Sequence, residues 1–364
     1  MVLSRSVATR IQPYFGYRNT TRLAVSARAL RSPAAKMESS SRLRAIRTML
    51  AKFSSREVAG VTVRLVAKFA GETVIDTRRE TDAEGFVHFD EEFPSKIERP
   101  EHTAWESVTL EWVNTKGPQS IVASILAPAS TARLGVISDI DDTIIESGIT
   151  GGLRNIARNW RRVMAEMPTE RIVVPGAADF YTSLGGQAPN VQSVAQPDAL
   201  PAPSRPFFYV SSSPWNLFSY LVAFKKAHGL PHGPMMLRDW GLNRATFGSG
   251  SHGAHKRAAI ASILATYPDM RFAMIGDDTQ GDLPAFAEAA QAHPGQIAGV
   301  FLRKAAVEDF SPEERAAQLQ LEKADIPLWL GESFQSASEF FETLGIESDH
   351  EAAQIVKTIE DKAE

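Results

Sequence analysis

Leu134-Gly-Val-Ile-Ser-Asp-Ile-Asp-Asp-Thr143 is the stretch on which the fold turns. An apolar run passes through Ser138 straight into three carboxylates, Asp139, Asp141 and Asp142. Short apolar runs that end in polar residues are strands buried on both faces. Two more follow, Phe207-Phe-Tyr-Val210 and Arg271-Phe-Ala-Met-Ile275. Between and beyond them, Trp215 to Lys226, Lys256 to Thr266 and Pro284 to Ala292 carry helical spacing, with Lys256 at a helix start. Strand-helix alternation of this kind predicts a parallel α/β sheet. Ligands of such sheets bind beyond the carboxyl ends of the strands.

Carboxylates set directly after a buried strand are costly without a positive partner. Asp139 and Asp141, at i and i+2 of an extended segment, lie on one side and raise each other's pKa. A divalent cation relieves that conflict, and hard oxygen ligands favour Mg2+. The third strand ends in Gly276-Asp277-Asp278-Thr-Gln-Gly-Asp282, which brings a second acidic set to the same sheet edge. The middle strand ends in Ser211-Ser212-Ser213, whose hydroxyls and N–H groups suit an anion. Lys256 supplies a positive side chain. A nucleophilic carboxylate, a hydroxyl cradle, a lysine and a metal-binding acid pair together fit a phosphoryl group.

The set Asp139-x-Asp141-x-Thr143, a strand-end serine, a lysine and Gly276-Asp277-x4-Asp282 resembles the four motifs of the haloacid dehalogenase superfamily of phosphatases. Gly135-Val-Ile-Ser-Asp-Ile-Asp-Asp-Thr-Ile144, Tyr209-Val-Ser-Ser-Ser-Pro-Trp-Asn216, Pro231-x-Gly-Pro-Met-Met-Leu-Arg238 and Phe301-Leu-Arg303 resemble one branch more closely. That branch is the actin-patch-associated phosphatidate phosphatase family with its bacterial relatives. Pro13-Tyr-Phe-Gly16 and Val61-Thr-Val-Arg-Leu65 resemble the β-domain that precedes it in bacterial members. The resemblance implies a haloacid-dehalogenase-like Rossmannoid sheet with a small helical cap. It makes Asp139 the nucleophile and a Mg2+ ligand, and Asp141 the general acid/base with its backbone carbonyl on the metal. Ser211 would hold phosphate, with Ser212 as the alternative register, and Thr143 would fix the loop. Lys256 would neutralise nucleophile and phosphate. Asp277 would ligate the metal, supported by Asp278 or Asp282. The implied activity is Mg2+-dependent hydrolysis of phosphatidate through an aspartyl-phosphate. A soluble phosphomonoester, or a lipid- or protein-binding module with an idle phosphatase domain, are the alternatives.

Upstream, Thr21 to Leu30, Val61 to Val66, Thr73 to Asp76, Phe86 to Phe89, Ser107 to Trp112 and Ser120 to Leu126 alternate between turn residues, which predicts a small β-sandwich. The expected domains are 10–131, sandwich-like, and 132–345, the phosphatase. Gly185 to Pro206 is expected to be an exposed insert and 346–364 an acidic tail. Ser41 to Phe53 has helical spacing. Gly152 to Met167 carries an apolar stripe with Arg154, Arg158, Arg161 and Arg162 largely off it, read as a cap helix or as a gate facing an anionic interface. His252 and His255 are expected to be polar loop residues, and Trp215 either lines the site or packs beneath it.

The 364 residues suggest two or three domains at about 150 each. With 43% apolar and 23% charged residues, wholesale disorder and fibrous designs are excluded, and without cysteine so are thiol nucleophiles and disulfides. Residues 1–50 hold ten Arg/Lys against one acid, Glu38, although the whole chain carries −4. Such a start suits a transit peptide or an anionic surface. The resemblance, which begins near residue 11, disfavours cleavage there. No apolar run reaches the ~18 residues of a membrane span and no secretory h-region is visible. The expected location is cytoplasmic or peripheral at a membrane, with a phospholipid substrate and no nucleic-acid partner.

Overall fold

The computed structural model describes residues 8–31, 56–141, 143–144, 173–185, 201–238, 249–306 and 309–344, with side chains from 253 onward in the helix that begins at 249. The expected helices at 41–53 and 152–167, most of the 185–206 insert, the tail, Asp142 and the side chain of His252 lie outside the described residues.

Nine strands come first: β1 (Arg10–Pro13), β2 (Gly16–Arg18), β3 (Arg22–Arg31), β4 (Arg56–Glu57), β5 (Thr62–Phe69), β6 (Glu72–Glu80), β7 (Phe86–Glu92), β8 (Ala104–Asn114) and β9 (Gly117–Ala127). Their inward residues alternate with outward ones, as in β5, where Val63, Leu65 and Ala67 are buried. Those residues pack with Val25, Ala27 and Phe89 from β3 and β7 into one core. The hydrogen-bonded path is continuous, β1-β3-β2-β9-β8-β5-β6, with β7 and β4 also on β3. Short β2 makes the continuity, because it lies antiparallel to β3 and parallel to β9. The β-rich region is therefore one sheet folded over its own core, where the strand pattern alone suggested two stacked ones.

The second region contains β10 (Leu134–Ser138), α1 (Ala177–Gly185), β11 (Phe207–Pro214), α2 (Phe218–Ala227), β12 (Met235–Arg238) and α3 (Ser249–Thr266). It continues with β13 (Arg271–Asp277), α4 (Asp282–Ala292), β14 (Ile297–Arg303), α5 (Pro312–Lys323), β15 (Leu328–Gly331) and α6 (Ala337–Thr343). The six strands are parallel in the order β12-β11-β10-β13-β14-β15. Both faces are covered, which is why these strands read as unbroken apolar runs. Val136, Tyr209, Ala273 and Phe301 face α1, α2 and α6. Their neighbours Ile137, Phe208, Met274 and Leu302 face α3, α4 and α5. Helix α3 begins seven residues before Lys256, in Ser249-Gly-Ser-His-Gly, a stretch whose Gly and Ser content reads as loop.

An aromatic seam joins the two regions. Tyr14, between β1 and β2, packs on Trp215 at 4.2 Å and edge-on to Phe218 at 4.8 Å. Tyr17 meets Phe208 and Tyr267. Polar ties run alongside: Arg28 Nη1 donates to Asn216 Oδ1 (2.7 Å), Asn19 Nδ2 to the Thr266 carbonyl (2.8 Å), and the Tyr267 hydroxyl to the Arg18 carbonyl (3.0 Å). Trp215, which opens the turn after β11, thus packs into this seam against Tyr14, Phe86 and Phe218.

Candidate active site

Strand β10 stops at Ser138, yet the Asp139 N–H still donates to the Ile275 carbonyl (2.8 Å), so Asp139 stays against the end of β13. Its carboxylate is buried. Ser138 fixes the turn from below: its hydroxyl donates to the Asp139 carbonyl (2.6 Å) and bonds the Tyr181 hydroxyl (2.6 Å), which rises from α1. Thr143 is buried beside Asp139, its Oγ1 3.2 Å from both Asp139 Oδ2 and Asp277 Oδ2.

Lys256 enters from α3 and is buried. Its Nζ hydrogen-bonds Asp282 and lies 3.0 Å from Asp139 Oδ1, an ion-pair contact without hydrogen-bond alignment. Asp282 opens α4 and folds back over the strand end, accepting from the Asp277 N–H at 3.1 Å. Two glycines permit this return. Gly281 supplies φ +74° at the helix start, and a Cβ on Gly276 would lie 2.6–2.8 Å from Asp282 side-chain atoms. Asp277 Oδ1 accepts from Thr279 through both the backbone N–H (2.6 Å) and the hydroxyl.

Asp139, Asp277 and Asp282 each present an oxygen within 4.8 Å of the others. Burial pushes the Asp139 carboxyl well above the usual range; Lys256 opposes this, while Asp282, Asp277 and Asp141 add to it. Asp277 is pushed up to about 7, again by burial first and Asp282 second. Burial alone would lower the Lys256 ammonium, but the carboxylates outweigh it and raise Lys256 above its ordinary value. Three buried carboxylates against one ammonium, with Asp139 Oδ1 lacking a hydrogen bond, form a donor set suited to a hard divalent cation.

The other sequence-nominated residues fall nearby in different roles. The Asp141 carboxylate turns to β11, where Ser211 Oγ donates to it at 2.6 Å and Ser213 Oγ at 2.9 Å. Its backbone carbonyl accepts from Gln280 Nε2 at 3.3 Å. Ser212, between the two serines, is buried. Asp278 points away from the three carboxylates: its Oδ1 accepts from the Ala305 and Ala306 N–H groups at 2.7 and 2.8 Å. His255 sits on α3 instead of in a loop, its Nε2 3.2 Å from the Met236 carbonyl. Tyr181, Thr279 and Gln280 carry no signal in the sequence that marks them as neighbours of the site. Ser213 does carry one, since it is two residues from Ser211 on a strand.

All these side chains lie in residues 134–304, which match the family profile described as "Phosphatidate phosphatase APP1, catalytic domain". That stretch is similar to the APP1 catalytic-domain family. The chain is 32% identical over 170 residues to phosphatidate phosphatase APP1 of Saccharomyces cerevisiae, covering 47% of this chain and 26% of the yeast protein. An uncharacterized protein of Schizosaccharomyces pombe is 24% identical over 237 residues, 65% of this chain and 36% of that one. The chain therefore spans about a quarter to a third of the length of these relatives. Among solved structures, a Parabacteroides merdae β-glucuronidase aligns over 89% of this chain and 39% of its own at 8% identity, with a TM-score of 0.24, too low to bear on fold or function. The β-rich region lies outside the stretch matched by the APP1 catalytic domain.

Proposed function

We propose that this chain is a Mg2+-dependent phosphatidate phosphatase, with a haloacid-dehalogenase-like domain at 132–345 and a β-domain at 10–131. The observation that carries the reading is the buried meeting of Asp139 with Lys256, Asp277 and Asp282 at the carboxyl edge of the sheet, with Asp141 beside it. The similarity of 134–304 to a phosphatidate phosphatase catalytic domain supports the substrate class.

Asp139, Asp277 and Asp282 would hold the ion, which would offset carboxylate and phosphate charge so that anion can approach anion. Lys256 opposes the protonation that burial favours at Asp139 and faces the same negative oxygens. A carboxylate oxygen of Asp139 attacks phosphorus, and the bond to the ester oxygen breaks. Asp141 gives its proton to the departing alkoxide, which leaves as diacylglycerol. Asp141 then takes a proton from water as that water attacks phosphorus, releasing phosphate and restoring Asp139. Ser211 offers its hydroxyl and the β11 end its N–H groups to the phosphoryl oxygens.

Among the described residues no helix is long and apolar enough to cross a membrane. A phospholipid substrate then calls for approach to a lipid surface from outside, at the periphery. Phosphate release from phosphatidate vesicles and from soluble phosphomonoesters, with Mg2+ and with chelator, tests the reading. Turnover of vesicle phosphatidate that needs Mg2+ and vanishes in Asp139→Asn is expected. Wild-type rates in Asp139→Asn would refute the mechanism, and faster turnover of soluble esters would move the substrate class.

A further inference from the structure

Asp141 is held by two serines, and only one of them has a role in the reaction as proposed above. Ser211 Oγ and Ser213 Oγ donate to its carboxylate at 2.6 and 2.9 Å, and Ser213 Oγ is 2.9 Å from both carboxylate oxygens. The Ser213 N–H also donates to Ser211 Oγ at 2.9 Å, closing a small ring of Asp141, Ser211 and Ser213. Both serines are buried, while Asp141 is partly exposed.

The two hydroxyls cannot keep the same job once substrate enters. Ser211 is the hydroxyl offered to phosphate, and a single O–H proton donates in one direction at a time. When it turns to a phosphoryl oxygen, Asp141 keeps Ser213. We infer that Ser213 is the positioning residue for Asp141, holding the acid/base carboxyl toward the ester oxygen while Ser211 binds phosphate. This rests on the phosphatase reading above.

A hydroxyl suits the task because it donates to one carboxyl oxygen while the other faces the ester. It can donate to the unprotonated oxygen of the acid and to the carboxylate alike, so the tether survives each half-reaction and leaves the acid's own proton free for the alkoxide. The backbone that carries Ser213 is itself pinned. Pro214 ends β11, Trp215 packs at a tilt against Tyr14, and Asn216 is held by Arg28. The position of the acid/base group is therefore set by a loop that the β-rich region grips.

The test separates positioning from support. In kcat/KM, which reports the step that expels the alcohol, a misplaced acid hurts poor leaving groups and spares good ones. Ser213→Ala is expected to lower kcat/KM for an alkyl phosphate about tenfold or more while leaving p-nitrophenyl phosphate within about twofold. Ser213→Thr, which keeps the hydroxyl, is expected to restore the alkyl rate, and Ser213→Val, of similar shape, is not. Ser211→Ala is expected to raise KM for both esters. Equal losses on both esters, or failure of threonine to rescue in a variant with unchanged melting temperature, would overturn the assignment. If the unaltered protein turns over neither ester and Asp139 forms no trapped phosphoryl adduct, the phosphatase reading falls and takes this inference with it. Turnover with equal losses removes Ser213 alone.

Discussion

Replacing Lys256 with methionine would remove the one ammonium that the described residues place among Asp139, Asp277 and Asp282 and leave a side chain of similar length. The nitrogen is buried, bonds Asp282 and faces Asp139 at 3.0 Å. Removing one partner of a buried ionic group costs about 3–5 kcal/mol, because the remaining charge is left unpaired. For a unit of about 200 residues each kcal/mol shifts Tm by about 2–4 °C. In metal-free protein at about pH 8, Lys256→Met is therefore expected to melt roughly 10 °C below wild type. The penalty depends on pH. The Asp277 carboxyl is raised from 3.8 to about 7, and Asp139 is raised as well. Between those values the folded state keeps protons that the unfolded chain has shed, so the carboxyl cluster weakens the fold as pH rises through that window. At about pH 5, below the raised value of Asp277, that carboxyl is protonated, and the lost ammonium matters less. Thermal unfolding followed by circular dichroism in chelator, from about pH 5 to 8, is the assay. A difference in Tm that widens with pH is expected, as is partial recovery with Mg2+ by mass action. A loss below about 1 kcal/mol, or one that is constant with pH, would refute the account of charge at this site.

His232 is buried, its Nδ1 has no hydrogen-bond partner, and its pKa is pulled from 6.5 down to about 3 by burial and then by Lys225 and Lys226. Its stabilising contribution is complete above 6.5 and is lost as pH falls toward 3, about 2 kcal/mol by pH 5. Urea midpoints that fall in acid for wild type but less steeply for His232→Gln would confirm this, and equal slopes would contradict it. Arg28→Ala loses the bond to Asn216, the bond to the Glu84 carbonyl and the stacking on Phe86, and is expected to cost about 1–3 kcal/mol of stability. Turnover should also fall several-fold, and unchanged kinetics in a destabilised variant would reduce the β-rich region to a support.

The parallel sheet was legible because its strands are covered on both faces, so β10, β11 and β13 appear as runs such as Phe207 to Val210. Strands β12 and β15 have four residues each, too few for periodicity to separate them from loop. The candidate site was legible at Asp139 and Asp277 through strand-end position, and at Lys256 as a positive side chain on the helix before β13. The Asp277-Asp278 pair was not divided, although alternation along a strand sends successive side chains to opposite sides. Asp277 faces the site, and Asp278 caps the backbone at 305–306. Asp282 joins through a left-handed glycine, which depends on loop shape and not on strand pattern. The folding of the β-rich region into one sheet depends on three residues of β2, which pattern alone does not assign to two neighbours.

The aromatic seam has a consequence for how such a chain changes over generations. Tyr14 and Tyr17 are shaped against Trp215, Phe218, Phe208 and Tyr267. A recombinant that swapped its first 130 or so residues for those of a distant cousin would inherit rings cut for another neighbour, and the mismatch would reach Ser213 and Asp141. A substitution at Tyr14 is expected to be tolerated best alongside a compensating one at Trp215, which would tie change at the front of this chain to change at its candidate site.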